Sequence, residues 1–135
     1  MSPQHITEDD LASLIPRFYE RVCADAQLGP VFAAAIPDWQ QHLAKLVDFW
    51  SSVMLGSGRY KGQPVPAHLR HADVMTRAMF ERWLGLWCDV TTETLPAPTA
   101  EALQAKAARI AESLLLAVQF RPEGPAPLLG KPLPA

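Results

Sequence analysis

The stretch Asp38-Trp39-Gln40-Gln41-His42-Leu43-Ala44-Lys45-Leu46-Val47-Asp48-Phe49-Trp50-Ser51-Ser52-Val53-Met54-Leu55-Gly56 decides the fold class of this chain. Asp38 followed three residues later by Gln41 has the spacing of a capping box with an aspartate as the cap. From there Trp39, His42, Leu43, Leu46, Phe49, Trp50 and Val53 recur in steps of three and four, which gathers them on one face of a helix. Gly56 supplies the residue at which such a helix stops. Upstream the pattern repeats: Thr7 reads as an N-cap with Asp9 and Asp10 beside it, and Leu11, Leu14, Ile15, Phe18, Tyr19 and Val22 form a second apolar stripe. Pro16 stands inside that stripe and predicts two short helices, or one kinked helix, about residues 8–15 and 17–25. Pro30 suits the first turn of a short helix through Val31, Phe32 and Ile36.

Downstream, residues 56–66 hold three Gly and two Pro in eleven positions, so a loop is expected there. A short helical turn from Ala67 to Ala72 follows. Thr76 then caps a helix bearing Met79, Phe80, Trp83, Trp87 and Val90, and Thr99 caps a last one with Leu103, Ala107, Ile110, Leu114 and Val118 inward. No run alternates with period two, and no segment repeats. The fold class is all-α, with one domain over residues 1–120 and a tail from Arg121 to Ala135 that holds five Pro in fifteen residues and is expected to be mobile or extended.

The composition narrows the partners. The chain has 135 residues, 49% hydrophobic and 19% charged, which is enough for one well-buried core. Its net charge of −2 comes from 12 basic against 14 acidic residues with no run of one sign, so neither nucleic acid nor a membrane surface is expected as a partner. The acidic start, Thr7-Glu8-Asp9-Asp10, is unlike a signal peptide, and a cytoplasmic protein is expected. Cys23 and Cys88 lack metal-ligand spacing and read as quiet packing residues.

Two histidines do not suit a bland helical bundle. His42 lies in the apolar stripe of its own helix, and His68 follows the long loop. Each alone reads most simply as a core histidine with one hydrogen bond, and Tyr19 and Trp83 as buried aromatics with one polar partner. Together they permit a second reading, in which a flat apolar cofactor sits between helices. Haem iron needs one axial ligand from the protein, and its other face needs room and a few donors.

The motifs favour that second reading. Phe18-Tyr19-Glu20-Arg21-Val22 and Leu28-Gly29-Pro30-Val31-Phe32 resemble the opening of truncated haemoglobins. Asp38-Trp39-Gln40-Gln41-His42-Leu43, Asp48-Phe49-Trp50-Ser51-Ser52, Leu55-Gly56-Ser57-Gly58-Arg59-Tyr60 with Gly62-Gln63-Pro64 and His68, then Phe80-Glu81-Arg82-Trp83-Leu84 and Ala108-Arg109-Ile110-Ala111-Glu112-Ser113-Leu114, are similar to the group III branch in particular. The resemblance runs from about residue 7 to 118 and implies a two-over-two globin around haem b. It implies His68 as the proximal iron ligand, and Tyr19 and Trp83 as donors to a diatomic ligand on the distal side. His42 matches the distal histidine, and Phe32 packs on the haem face. Leu46 and Trp50, one and two turns beyond His42, should line or back the pocket, and Phe49 joins the cofactor-binding set.

The chain departs from the family's pattern at Pro16 and at His71, where an apolar residue is usual. His71 reads as solvent-facing, the alternatives being a rival iron ligand or a support for His68. Arg59, Tyr60, Lys61 and Arg70 surround the expected proximal segment as candidates to pair with haem propionates. The function implied is binding of dioxygen, nitric oxide or carbon monoxide. Redox turnover such as nitric oxide dioxygenation or peroxidase chemistry would need a separate reductase, since no Gly-x-Gly-x-x-Gly fingerprint is present. Two alternatives remain at this point: a cofactor-free helical interaction module, and a transition-metal site on His68 and His71 that lacks a third ligand nearby.

Overall fold

A computed structural model describes residues 6–62 and 75–119, and these contain five α-helices and no strand. They are α1 (Glu8–Ala24), α2 (Gly29–Ala35), α3 (Trp39–Leu55), α4 (Arg77–Thr94) and α5 (Ala97–Gln119). The 63–66 part of the expected loop, the expected turn at 67–72 and the tail at 121–135 lie outside the described residues.

Side chains close three helix starts as expected. Thr7 accepts from the Asp10 N–H at 3.1 Å while the Asp10 carboxylate accepts from the Thr7 N–H at 3.0 Å, a reciprocal box that satisfies two orphan donors. Asp38 accepts from the Gln41 N–H, and Thr76 from the Met79 N–H. Gly56 ends α3 in the left-handed region at φ 69°, where a Cβ would be strained.

One expectation is narrowed and another needs correction. Of the two readings of Pro16, the single helix is the one found: α1 is continuous over 17 residues with Pro16 inside it. Pro16 and Ala12 are both exposed, so the Ala12 carbonyl that loses its intrahelical donor faces water. The stripe of Leu11, Leu14, Ile15, Phe18, Tyr19 and Val22 is buried on the opposite side and holds the helix through the proline. Thr99 does not cap α5 but lies buried in its first turn. The helix begins two residues earlier, with the Ala100 N–H donating to the Pro96 carbonyl at 2.9 Å. Pro98 sits in that first turn, where its missing N–H costs nothing.

Helix α1 is the hub: α2, α3 and α4 all pack on it, and α5 packs on α4. The core joins its stripe to Leu28, Trp50, Leu86, Trp87, Val90, Leu103 and Ala107. Trp87 is wholly buried, and its indole N–H donates to the Leu103 carbonyl at 3.1 Å, which ties α4 to α5. Two ion pairs brace the outside: Arg21 of α1 with Glu93 of α4, and Arg82 of α4 with Asp25 at 2.6 Å. Asp25 also accepts from the N–H groups of Gln27 and Leu28, closing the turn into α2.

Cys23 and Cys88 are both exposed on their helices rather than packed. Partial burial still pushes each thiol up from its ordinary value, so the expectation of quiet thiols stands.

A candidate distal cofactor site between three helices

The first half of the site grows from α1. Phe18 and Tyr19 are adjacent, so their rings leave the helix about 100° apart and reach different neighbours. Phe18 meets Trp87 edge-on at 4.8 Å and Trp83 at 5.5 Å. Tyr19 turns toward α2 and the start of α3, with Phe32 at 5.9 Å, Trp39 at 6.0 Å and His42 at 6.4 Å between ring centroids. Trp83 of α4 stands near enough to Tyr19 to draw the pKa of its hydroxyl down.

Tyr19 is buried, and desolvation pushes its pKa up to about 12 against the smaller opposing effect of Trp83. Tyr19 is therefore a neutral hydrogen-bond donor throughout the physiological range. Tyr19, His42 and Phe32 thus come together with Trp83 nearby, their polar atoms carried on stiff aromatic side chains.

Trp39 is the member that the sequence reading did not single out for the site. Its ring stacks on Phe32 at 6.4 Å and 20°, and stands edge-on to His42 at 5.8 Å. The signal was present in its position three residues before His42, on the same helical face.

The remaining expected residues divide. Trp50 lies in the core at 2% exposure, stacked on Trp87 at 4.7 Å, which places it behind the cluster. Leu46 and Phe49 are half-buried on α3, in a row with Leu43, Val47, Val53 and Met54. His68, His71 and Arg70 lie outside the described residues. Among the neighbouring cations, Arg59 pairs with Glu8 at 3.3 Å, while Lys61 is exposed.

That α3 row is the observation that bears on a cofactor. The helix is strongly apolar and 17 residues long, yet only Trp50 and Ser51 are buried. Its apolar face is left half covered beside the donors of Tyr19 and Trp83, a fit for a flat apolar ring with a polar ligand at its centre. Among the described residues, no group of three His, Cys, Asp or Glu could hold a bare metal ion instead.

The loop after α3 is tied down by a polar ring. Ser51 Oγ donates to Glu8 Oε2 at 2.6 Å and lies 2.7 Å from Ser57 Oγ. The Arg59 N–H reaches Ser57 Oγ at 3.3 Å, and the Arg59 guanidinium returns to Glu8 Oε1. The Tyr60 N–H donates to Ser52 Oγ at 2.9 Å. Residues 57–60 are thereby tied to both α1 and α3.

A crystal structure of group III truncated hemoglobin from Campylobacter jejuni superposes with a TM-score of 0.76 at 31% identity, over 87% of this chain and 95% of that one. In sequence, Group 3 truncated hemoglobin ctb of Campylobacter jejuni is 38% identical over 91 residues, which span 64% of this chain and 71% of that protein. The chain belongs to the group III truncated haemoglobins. No family model matches this truncated haemoglobin, so the assignment rests on the relative, the superposed structure and the motifs that order the helices. Its all-α architecture is that of a globin, and no helix among the described residues is long and apolar enough to cross a membrane.

Proposed function

We propose that this globin is a haem b protein that binds dioxygen, nitric oxide or carbon monoxide between α1, α3 and α4. The observation that carries the proposal is the half-covered apolar face of α3 set against the buried Tyr19 and its aromatic neighbours Phe32, Trp39 and His42. Haem, when bound, supplies an iron that takes a diatomic gas and exchanges electrons. Leu46 and Phe49 of α3, with Phe32, would cover its apolar surface. His68 is the residue that the family resemblance gives as its ligand. Tyr19 donates to the ligand, Trp83 holds the Tyr19 hydroxyl in place, and His42 with Trp39 closes the side facing α2.

A cofactor-free interaction module would have to close the α3 face with its own side chains, and among the described residues that face is half open. Turnover, with nitric oxide dioxygenation and peroxidase chemistry the reactions considered, would draw its electrons from a separate reductase.

The deciding experiment is a visible absorption spectrum of the purified protein, ferric and then reduced, with and without carbon monoxide. An intense Soret band that shifts with carbon monoxide is expected. It should vanish in His68→Ala and survive in His71→Ala. Protein that stays colourless after haem is added would overturn the proposal.

A further inference from the structure

Three of the four tryptophans form a single column. Trp83 and Trp87 are parallel to within 4° at 5.9 Å, one turn apart on α4. Trp50 of α3 stacks on the other side of Trp87 at 4.7 Å and 18°. Phe49 stands edge-on to Trp50 at 5.7 Å, and Tyr60 is edge-on to Phe49 at 5.2 Å. One end of this series is Trp83, which meets Phe18 edge-on at 5.5 Å, and Phe18 in turn meets Tyr19 of the distal cluster at 4.7 Å. The other end is Tyr60, half-buried on a loop whose neighbours Arg59 and Lys61 are exposed.

We infer that Trp83, Trp87, Trp50 and Tyr60 form a conduit for single electrons between the distal cluster and the surface of the protein. Indole and phenol are the two neutral side-chain rings that give up an electron most readily, and parallel stacking brings their π-systems into overlap. The Trp87 N–H is held by the Leu103 carbonyl, a group too weakly basic to take the proton. An oxidised Trp87 therefore keeps its proton and passes the vacancy on. At Tyr60 the situation reverses, because the phenol can release its proton to water as the electron leaves. Tyr19 is a poor terminus by comparison: it is 5% exposed, and burial holds its proton to about pH 12.

The balance is simple. A one-electron oxidant removes an electron from Trp83, Trp87 refills Trp83, Trp50 refills Trp87, and Tyr60 refills Trp50. The net change is that the Tyr60 phenol becomes a neutral phenoxyl radical, one proton enters water and the oxidant is reduced by one electron. A hydroperoxide reduced to an alcohol and water takes two electrons and two protons, so two passages satisfy it. A small phenol restores Tyr60 by giving up its own hydroxyl hydrogen. The conduit stands on the aromatic geometry alone, and only its use with a hydroperoxide rests on the haem reading above.

The chain carries its own attachment point for a test. Cys88 is exposed and follows Trp87 in sequence, and Cys23→Ala leaves it as the only cysteine to label. A ruthenium polypyridyl attached there, flash-oxidised with a cobalt(III) ammine as acceptor, injects the vacancy beside Trp87 without haem. The protein has two tyrosines, so a tyrosyl signal in transient absorption and electron paramagnetic resonance has two sources to separate. The expected signal survives Tyr19→Phe, is lost in Tyr60→Phe and in Trp50→Phe, and decays faster when a phenol is added. A signal that persists in Tyr60→Phe or in Trp50→Phe, one lost in Tyr19→Phe, or tryptophan radicals with no tyrosyl product would overturn the inference. Tyr60→Phe alters one partly exposed hydroxyl, so it tests the terminus even if Trp50→Phe fails to fold. Haem-loaded protein treated with hydrogen peroxide should give the same Tyr60 radical. Absence of a Soret band would count against the haem reading and leave the labelled experiment intact.

Discussion

Helices α1 and α3 are each 17 residues long and each carries an apolar stripe, but the protein completes only one of them. The α1 stripe is buried at Leu11, Leu14, Ile15, Phe18, Tyr19 and Val22 by helices on three sides. On α3, Trp50 and Ser51 are buried while Leu43, Leu46, Val47, Phe49, Val53 and Met54 stay half covered. An apolar stripe records what a helix needs to cover, and here one stripe is met by protein in full and the other only in part.

The largest effect expected is on the α1 side. Phe18→Ala removes a fully buried ring that touches Tyr19, Trp83 and Trp87, and should cost about 3–5 kcal/mol in urea unfolding. A much smaller loss would mean that α1 is not the completed helix. Next comes the donor between the two helices. On the proposed function, Tyr19→Phe deletes a hydrogen bond to a partly charged acceptor, worth roughly 1.5–3 kcal/mol, so dioxygen should leave about ten to a hundred times faster. Stopped-flow displacement of dioxygen by carbon monoxide reads this directly, and an unchanged rate would show that another donor dominates.

Leu46→Ala sharpens the comparison from the α3 side. In haem-free protein it should cost less than the ~2–5 kcal/mol of a fully buried leucine, and with haem loaded its cost in thermal melts should rise. Equal costs in the two states would mean that α3 is covered by protein after all. The smallest effect lies at the end of α1. The Arg82 guanidinium, with the Leu28 N–H, holds the Asp25 carboxyl below its ordinary value. The resulting stabilisation is present above the unfolded value of about 3.9 and is lost as pH falls through the lower folded one. Asp25→Asn should therefore flatten the acid limb of the stability profile, with little change at its plateau shape above pH ~5.

Sequence alone reached the helices because their boundaries are local chemistry: Thr7, Asp38 and Thr76 cap with their own side chains, and Gly56 stops α3 with its own backbone. It left Pro16 open between two helices and one, and it failed at Thr99; both outcomes depend on which face meets water. Nothing local to Pro16 says that the Ala12 carbonyl is solvated, and nothing local to Thr99 says that its side chain is buried. Tyr19, Trp83, His42 and Phe32 were legible as a group through the family motifs, and the structure brings those four together. Trp39 was missed because its role depends on Phe32, which lies on another helix. The column of Trp83, Trp87 and Trp50 was equally out of reach, since two stripes predict two buried faces and not the angle between their rings.

That column has an optical consequence. Parallel indoles within 6 Å share their excitation, so Trp83, Trp87 and Trp50 should give a coupled near-ultraviolet circular dichroism signal that a single indole cannot produce. The Trp50–Trp87 part of that signal exists only when α3 and α4 are docked, because Trp50 comes from one helix and Trp87 from the other. A porphyrin lodged beside Trp83 would also drain the emission of the whole column. Assembly of the helices and uptake of a cofactor can thus be followed separately, by dichroism and by fluorescence, in unlabelled protein.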